Sequence, residues 1–216
     1  MPSARGTFIT LEGVDGSGKS TQASLLVERL RQEGREVVAL REPGGTPISE
    51  KIRALLLDPE NAEMADECEL LLYEASRAQL VREVIEPALL RGAIVVCDRF
   101  YDSTHAYQHG GRGLSDALVS RANELGCCGL SPDVTLVLDI DPAAALARAT
   151  AQGADRLEVE GLAFQQRVRK DYLALAKADP ARVCVVDAAG DPALVAGRID
   201  AALARAGVSA GEVSHG

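Results

Sequence analysis

Apolar positions along the chain fall into two patterns. Short continuous apolar runs, bounded by polar or Gly/Pro stretches, lie at about 7–12, 36–41, 93–98, 134–140 and 182–187. Runs of that length and composition read as strands buried on both faces. Between them the apolar residues return every three or four positions, as Leu25, Leu26 and Leu30 do. That spacing predicts helices near 19–33, 46–57, 66–90, 100–108, 114–126, 142–152, 162–178 and 191–206. Strands alternating with helices predict an α/β fold with a parallel sheet and crossover helices. No repeat, low-complexity stretch or linker divides the 216 residues, so one domain over 1–216 is expected. The small, polar run 207–216 reads as a frayed tail.

In such a sheet, ligands collect at the carboxyl ends of the strands. The residues after each strand are therefore the ones to read for chemistry. The first strand leads into Gly13-Val14-Asp15-Gly16-Ser17-Gly18-Lys19-Ser20-Thr21, which fits G-x-x-x-x-G-K-[ST]. Small residues let this loop curl so that backbone N–H groups point inward at phosphate oxygens. Lys19 sets a cation against the β- and γ-phosphates, and the Ser20 hydroxyl suits Mg²⁺. The helix that follows adds its positive end to the same place. Strand, loop and helix together make a phosphate site the reading, and a plain Gly-rich turn the alternative.

After the second strand comes Arg41-Glu42-Pro43-Gly44-Gly45-Thr46. It is a sharp turn with Thr46 as a helix N-cap, and Arg41 is either solvated or part of a site. Tyr73 and Arg77 stand four apart on one helix face. Arg77 has Glu74 as a surface partner in the alternative reading, with Tyr73 as half-buried packing. After the third strand, Asp98-Arg99 places a carboxylate where NTPases hold Mg²⁺, with a planar guanidinium fork for phosphate beside it. The alternative there is an ion pair that starts a helix. The next helix carries Thr104, His105, Tyr107, Gln108 and His109. His105 and His109 have metal-pair spacing but no third ligand at a suitable interval, so a substrate-lining helix is expected instead of a zinc site. Gly153 breaks the helix in the polar segment 148–160, which reads as a mobile lid carrying Arg148 and Arg156, or as a surface loop.

Composition narrows the partners. Apolar residues make up 47% of the chain and charged residues 25%, as in soluble globular proteins. No apolar run reaches membrane-spanning length, and Met1–Arg5 have no apolar signal core, so a cytoplasmic protein without a membrane partner is expected. Lys and Arg total 23 against 32 Asp and Glu, a net charge of −9. That balance disfavours a nucleic-acid surface and leaves anionic ligands to local arginines. Cys68, Cys97, Cys127, Cys128 and Cys184 contain no C-x-x-C and read as free thiols in a reducing compartment.

Taken in order, GVDGSGKST, REPGGT, the Tyr73/Arg77 helix ending EASRAQLV, DRF followed by STHAYQ, and the DRLE segment resemble the bacterial thymidylate kinase family. The resemblance spans nearly the whole chain. It implies a P-loop NTPase fold with a five-stranded parallel sheet, flanking helices and a short lid, in a homodimer. It also implies phosphorylation of dTMP to dTDP by ATP with Mg²⁺. By the same resemblance, residues 13–21 and Arg148 bind ATP, and Ser20 and Asp98 hold the metal. Asp15 contacts the sugar 3′-hydroxyl, and Arg99 binds the dTMP phosphate with Arg41 nearby. Tyr73 stacks on thymine, Arg77 bonds its O4, Tyr107 packs on the deoxyribose, and Thr104 and Gln108 line the base site. Some relatives carry a P-loop arginine where this chain has Gly16, and several lid arginines where it has Thr150 and Gln152. Arg156 is therefore the expected transition-state arginine, joining Asp15, Lys19 and Arg99 as catalytic. The alternatives are another nucleoside monophosphate or deoxynucleoside kinase, a GTPase-type switch, and a silent nucleotide-binding module. Asp187-Ala188-Ala189-Gly190 matches the D-x-x-G of a switch but follows the last strand, and no N-K-x-D occurs.

Overall fold

The computed structural model describes residues 5–149 and 160–208. Its five strands are β1 (Phe8–Glu12), β2 (Val37–Arg41), β3 (Ile94–Asp98), β4 (Val134–Asp139) and β5 (Val183–Asp187). They form one parallel sheet in the order β2-β3-β1-β4-β5. Every strand lies within a residue or so of its apolar run. Central β1 is buried along its length, whereas edge strands β2 and β5 alternate in exposure. Helices on both faces leave a central strand no wet side, so its apolar run cannot alternate. The hydroxyls of Thr10 and Thr135 satisfy each other inside the sheet at 2.8 Å.

The described helices are α1 (Lys19–Gln32), α2 (Pro47–Leu57), α3 (Asp66–Leu80), α4 (Glu86–Leu90), α5 (Tyr101–Thr104), α6 (Asp116–Gly126), α7 (Pro142–Ala149), α8 (Leu162–Ala178) and α9 (Pro192–Arg205). Local chemistry sets several starts. Thr46 caps α2 by accepting from Ser49 N, with Pro47 in the first turn. Asp191 caps α9 through Ala193 N and Leu194 N, again followed by proline.

The expected helix 66–90 is continuous, but one π turn at Val81–Ile85 separates α3 from α4. Pro87 has no N–H for the Glu83 carbonyl, and its ring crowds that position, so the ladder widens there. The run buries Leu80, Val81, Ile85 and Leu89 with Phe8, Val95 and Cys97 of the sheet. A larger cluster joins Ile9, Leu11 and Leu136 to Leu26 and Leu30 of α1, Phe164 and Val168 of α8, and Ile199 of α9.

The helix expected over 100–108 is also longer and less regular. After α5 it continues as a π-helical run, His105–Gly111. That run packs on α8, and a methyl group at Gly111 would sit 2.6 Å from the Phe164 ring. Only glycine permits the approach. The consequence is functional: the run carries Tyr107 and Gln108 toward the carboxyl ends of β1 and β3.

Candidate active site

A cleft of about 640 Å³ opens at the carboxyl ends of the strands. Residues 15–21 of the phosphate-binding loop line one end of it. Gly18 adopts φ 92° at the N-cap of α1, a left-handed turn that other residues adopt rarely. Gly13 and Val14 stand behind the loop instead of lining the cleft, and their carbonyls accept from Lys19 Nζ at 3.0 and 2.8 Å. Lys19 is buried, and desolvation together with the nearby Arg99 charge lowers its pKa to about 8. Ser20 Oγ donates to Asp98 Oδ2 at 2.5 Å, joining the loop to the end of β3. These two hard oxygens, beside the lysine, fit a Mg²⁺ site.

Arg99 follows at φ 73°, a left-handed conformation uncommon outside glycine. Its guanidinium pairs with the Asp15 carboxylate. Nη1 also donates to Gly13 O at 3.2 Å and to Ser103 Oγ at 3.1 Å, and Nη2 donates to the Tyr107 hydroxyl at 3.2 Å. Tyr107 in turn donates to Asp15 Oδ2 at 2.7 Å, and Gln165 Nε2 donates to the same oxygen at 3.0 Å. Burial works against the Asp15 charge, but Arg99 and Lys19 outweigh it and its pKa falls below the ordinary value. A loop carboxylate, a strand-end arginine and two helices thus meet at one point.

At the far end stands Arg77, 1% exposed, so it is no surface partner of Glu74. The pairing with Glu74 does exist, at 2.5 Å, but inside the protein. Arg77 Nε donates to Glu42 Oε2 at 2.8 Å, Nη1 also reaches Asn123, and Nη2 donates to Thr104 Oγ1 at 2.8 Å. Burial pushes the Glu42 carboxyl up to about 7 against the pull of Arg77. Nη2 carries two protons, and among the described residues only Thr104 takes one, so a second donor stands beside the cleft. Gln108 Nε2 is bound to Glu69 Oε1 at 2.7 Å, which leaves the Gln108 carbonyl oxygen as an acceptor. Tyr73 lines the same end half-buried.

Arg41 lies on the rim, exposed, with Nη2 bonded to Glu50 at 3.1 Å. Arg148 is exposed at the end of α7 and lines the cleft near Ala188 and Gly190. Arg156 lies outside the described residues, as does most of the segment 148–160. The D-x-x-G residues follow β5, and β4 separates that strand from β1, so they do not flank the phosphate loop as a switch would.

Residues 11–199 match the family model for thymidylate kinase. The thymidylate kinase of Desulfosudis oleivorans is 52% identical over 206 residues, covering 92% of this chain and 96% of its own. The chain belongs to the thymidylate kinase family. The thymidylate kinase of Pseudomonas fluorescens is 54% identical over 199 residues, covering 92% of this chain and 95% of its own. The crystal structure of thymidylate kinase from Ehrlichia chaffeensis aligns with a TM-score of 0.76 at 33% identity, covering 90% of this chain and 97% of that one.

Some residues at this kinase cleft escaped the sequence reading. Glu12, Ser103 and Gln165 hold the Asp15–Arg99 pair from behind, and Arg53 lines the cleft beside Arg41. Glu12 had a signal: a charge closing an apolar run destined for burial. Gln165 had none.

Among the described residues no group of three His, Cys, Asp or Glu is placed to hold a metal ion. His105 instead bridges two carboxylates, Asp171 through Nδ1 at 2.6 Å and Asp116 through Nε2 at 2.8 Å. Burial opposes its charge, but the bonds to Asp171 and Asp116 outweigh burial and raise its pKa above 6.5. The protonated ring therefore favours the folded state below its unfolded pKa, and the advantage fades as pH rises through the raised value. His105→Gln should cost about 1.5 kcal/mol near pH 6 and much less near pH 9. Urea unfolding at the two pH values checks this, and an equal cost at both would contradict it.

Proposed function

We propose that this chain transfers the γ-phosphoryl group of ATP to dTMP, forming dTDP, in the cleft between the phosphate loop and Arg77. The observation that carries the reading is the joining of donor and acceptor machinery at one point. The loop meets Asp98 through Ser20, and the next residue, Arg99, reaches across to Tyr107. In this reading residues 15–21 hold the ATP phosphates, with Lys19 on the charge that develops during transfer and Gly13 and Val14 holding Lys19 from behind. Ser20 and Asp98 hold Mg²⁺, which supplies further neutralisation of the phosphates when bound.

Arg99 takes the dTMP phosphate, replacing the Asp15 carboxylate that now satisfies it. Asp15 then faces the sugar 3′-hydroxyl, with Gln165 and Tyr107 fixing its orientation. Arg41 adds charge at the rim. The free proton on Arg77 Nη2 meets the O4 acceptor of thymine, and the Gln108 carbonyl accepts from N3–H. Tyr73 covers the ring and Thr104 holds Arg77 in plane. Arg148 is assigned to the adenine end of ATP and Arg156 to the transition state, the latter because the phosphate loop has no arginine and Arg99 is committed to the acceptor. Transfer then needs two aligned anions, neutralised charge and the exclusion of water, which is the work these residues do.

A cytoplasmic homodimer completes the proposal. No described helix is long and apolar enough to cross a membrane, and the five cysteines are free. Helix α3 packs against both α2 and α6, and Leu55, Leu71 and Leu125 on these helices are 51%, 62% and 77% exposed. Exposed apolar side chains of that kind suit a second copy of the chain. Light scattering at micromolar concentration should give twice the chain mass, and a monomer alone would contradict the assembly.

Base choice tests the substrate reading. Arg77 has only donors, and cytosine presents an amino donor at position 4 where thymine and uracil present an acceptor. Donor facing donor in a dry site rejects dCMP strongly. The 5-methyl group is a smaller lever, about 1 kcal/mol. ADP formation from ATP with Mg²⁺ should therefore follow dTMP, then dUMP, then dCMP by a wide margin. Equal competition by dCMP would overturn the assignment of Arg77.

A further inference from the structure

Glu12 closes β1 one residue before the phosphate loop and is 0% exposed. A buried carboxylate is costly unless its bonds are made. Phe100 N donates to Glu12 Oε1 at 2.7 Å, and Ser103 Oγ donates to Oε2 at 2.5 Å. The Tyr172 hydroxyl reaches the same Oε2 at 2.9 Å. Burial and the neighbouring Asp102 charge lift the carboxyl to about 7, while Ser103, Arg99 and the Phe100 N–H pull it back.

These partners enclose Arg99. Its own N–H bonds the Leu11 carbonyl at 3.0 Å, and the N–H that follows it bonds Glu12. Consecutive residues at the end of β1 thus pin both peptide groups around the left-handed turn at φ 73°. Such a conformation in a non-glycine residue persists only when its surroundings hold it. The second route runs through a side chain. Ser103 has one hydroxyl proton, and giving it to Glu12 turns the oxygen lone pairs toward Arg99 Nη1 at 3.1 Å. An amide at position 12 would keep the shape but set a donor against Ser103 and displace that proton.

We propose that Glu12 is a positioning residue for the acceptor phosphate: through the Phe100 N–H and the Ser103 hydroxyl it holds Arg99 in its left-handed turn and aims the guanidinium into the cleft. The proposal rests on the reading of Arg99 as the dTMP-phosphate ligand. Glu12 touches neither nucleotide, so its effect falls on one substrate and not on the other.

Steady-state kinetics on Glu12→Gln, Glu12→Ala and Ser103→Ala, beside Arg99→Lys, test this. The KM for dTMP should rise about tenfold in Glu12→Gln and further in Glu12→Ala, with the KM for ATP held within about twofold. Ser103→Ala keeps the Phe100 bond and should raise the KM for dTMP about threefold, which preserves the test if the Glu12 variants fold poorly. Hydrogen exchange at the Phe100 amide should accelerate in Glu12→Ala while the amides of β1 and β3 stay protected. An unchanged KM for dTMP in Glu12→Gln, or equal rises for both substrates, would overturn the proposal, provided that Arg99→Lys does raise the KM for dTMP. A silent Arg99→Lys would overturn the acceptor reading itself and the proposal with it.

Discussion

The parallel pairing of β1 with β3 is the constraint on which the site depends. Their register sets Leu11 opposite Asp98, so the phosphate loop and the Asp98-Arg99 pair leave the sheet side by side. Arg99 N donates to Leu11 O, and Glu42 N donates to Asp98 O on the other side. Three neighbouring strands therefore release their chemistry at one edge: the loop from β1, Arg41-Glu42 from β2, Asp98-Arg99 from β3. A slip of one residue would turn every side chain on the slipped strand to the opposite face. The polar groups set into the buried strands oppose that slip, since Thr10 pairs with Thr135 and Glu12 takes the Phe100 N–H only in this register. The apolar pattern thus fixes the core, and these bonds fix the register that places the charges.

Those charges are held at a cost to the folded state. Arg77, Arg99, Lys19, Glu12 and Glu42 are all removed from water or nearly so, and burial shifts each of their pKa values toward the neutral form or opposes its charge. Buried ion pairs rarely stabilise a fold relative to apolar packing. Here the pairing of Arg99 with Asp15 and of Arg77 with Glu42 and Glu74 holds two guanidinium groups in place along one cleft. In the proposed reading, a substrate that carries a phosphate and a carbonyl acceptor would meet donors already oriented, with little side-chain order left to impose.

Much of this was legible in the residues. Apolar runs located all five strands, and the loop signature together with Asp98-Arg99 located residues that the fold brings together through Ser20, because both depend on local order along the chain. The two π-helical runs were not legible, since their apolar spacing over a few residues resembles that of an α-helix. Pro87 was the one hint, for the first of them. The depth of Arg77 was also hidden. Spacing brings Glu74 to it, but Glu42 and Asn123 arrive from elements 35 and 46 residues away, and only the fold joins them. Glu12 could have been questioned as a charge in a buried run, whereas the role of Gln165 rests wholly on the packing of α8.

The central claim is that one cleft binds both nucleotides with Arg99 at the acceptor phosphate. A crystal structure of the chain with dTMP and a non-hydrolysable ATP analogue tests it most directly. The account predicts the dTMP phosphate on the Arg99 guanidinium, Asp15 released toward the sugar, and thymine O4 on Arg77 Nη2. An Arg99 still paired with Asp15, with the dTMP phosphate bound elsewhere, would contradict it.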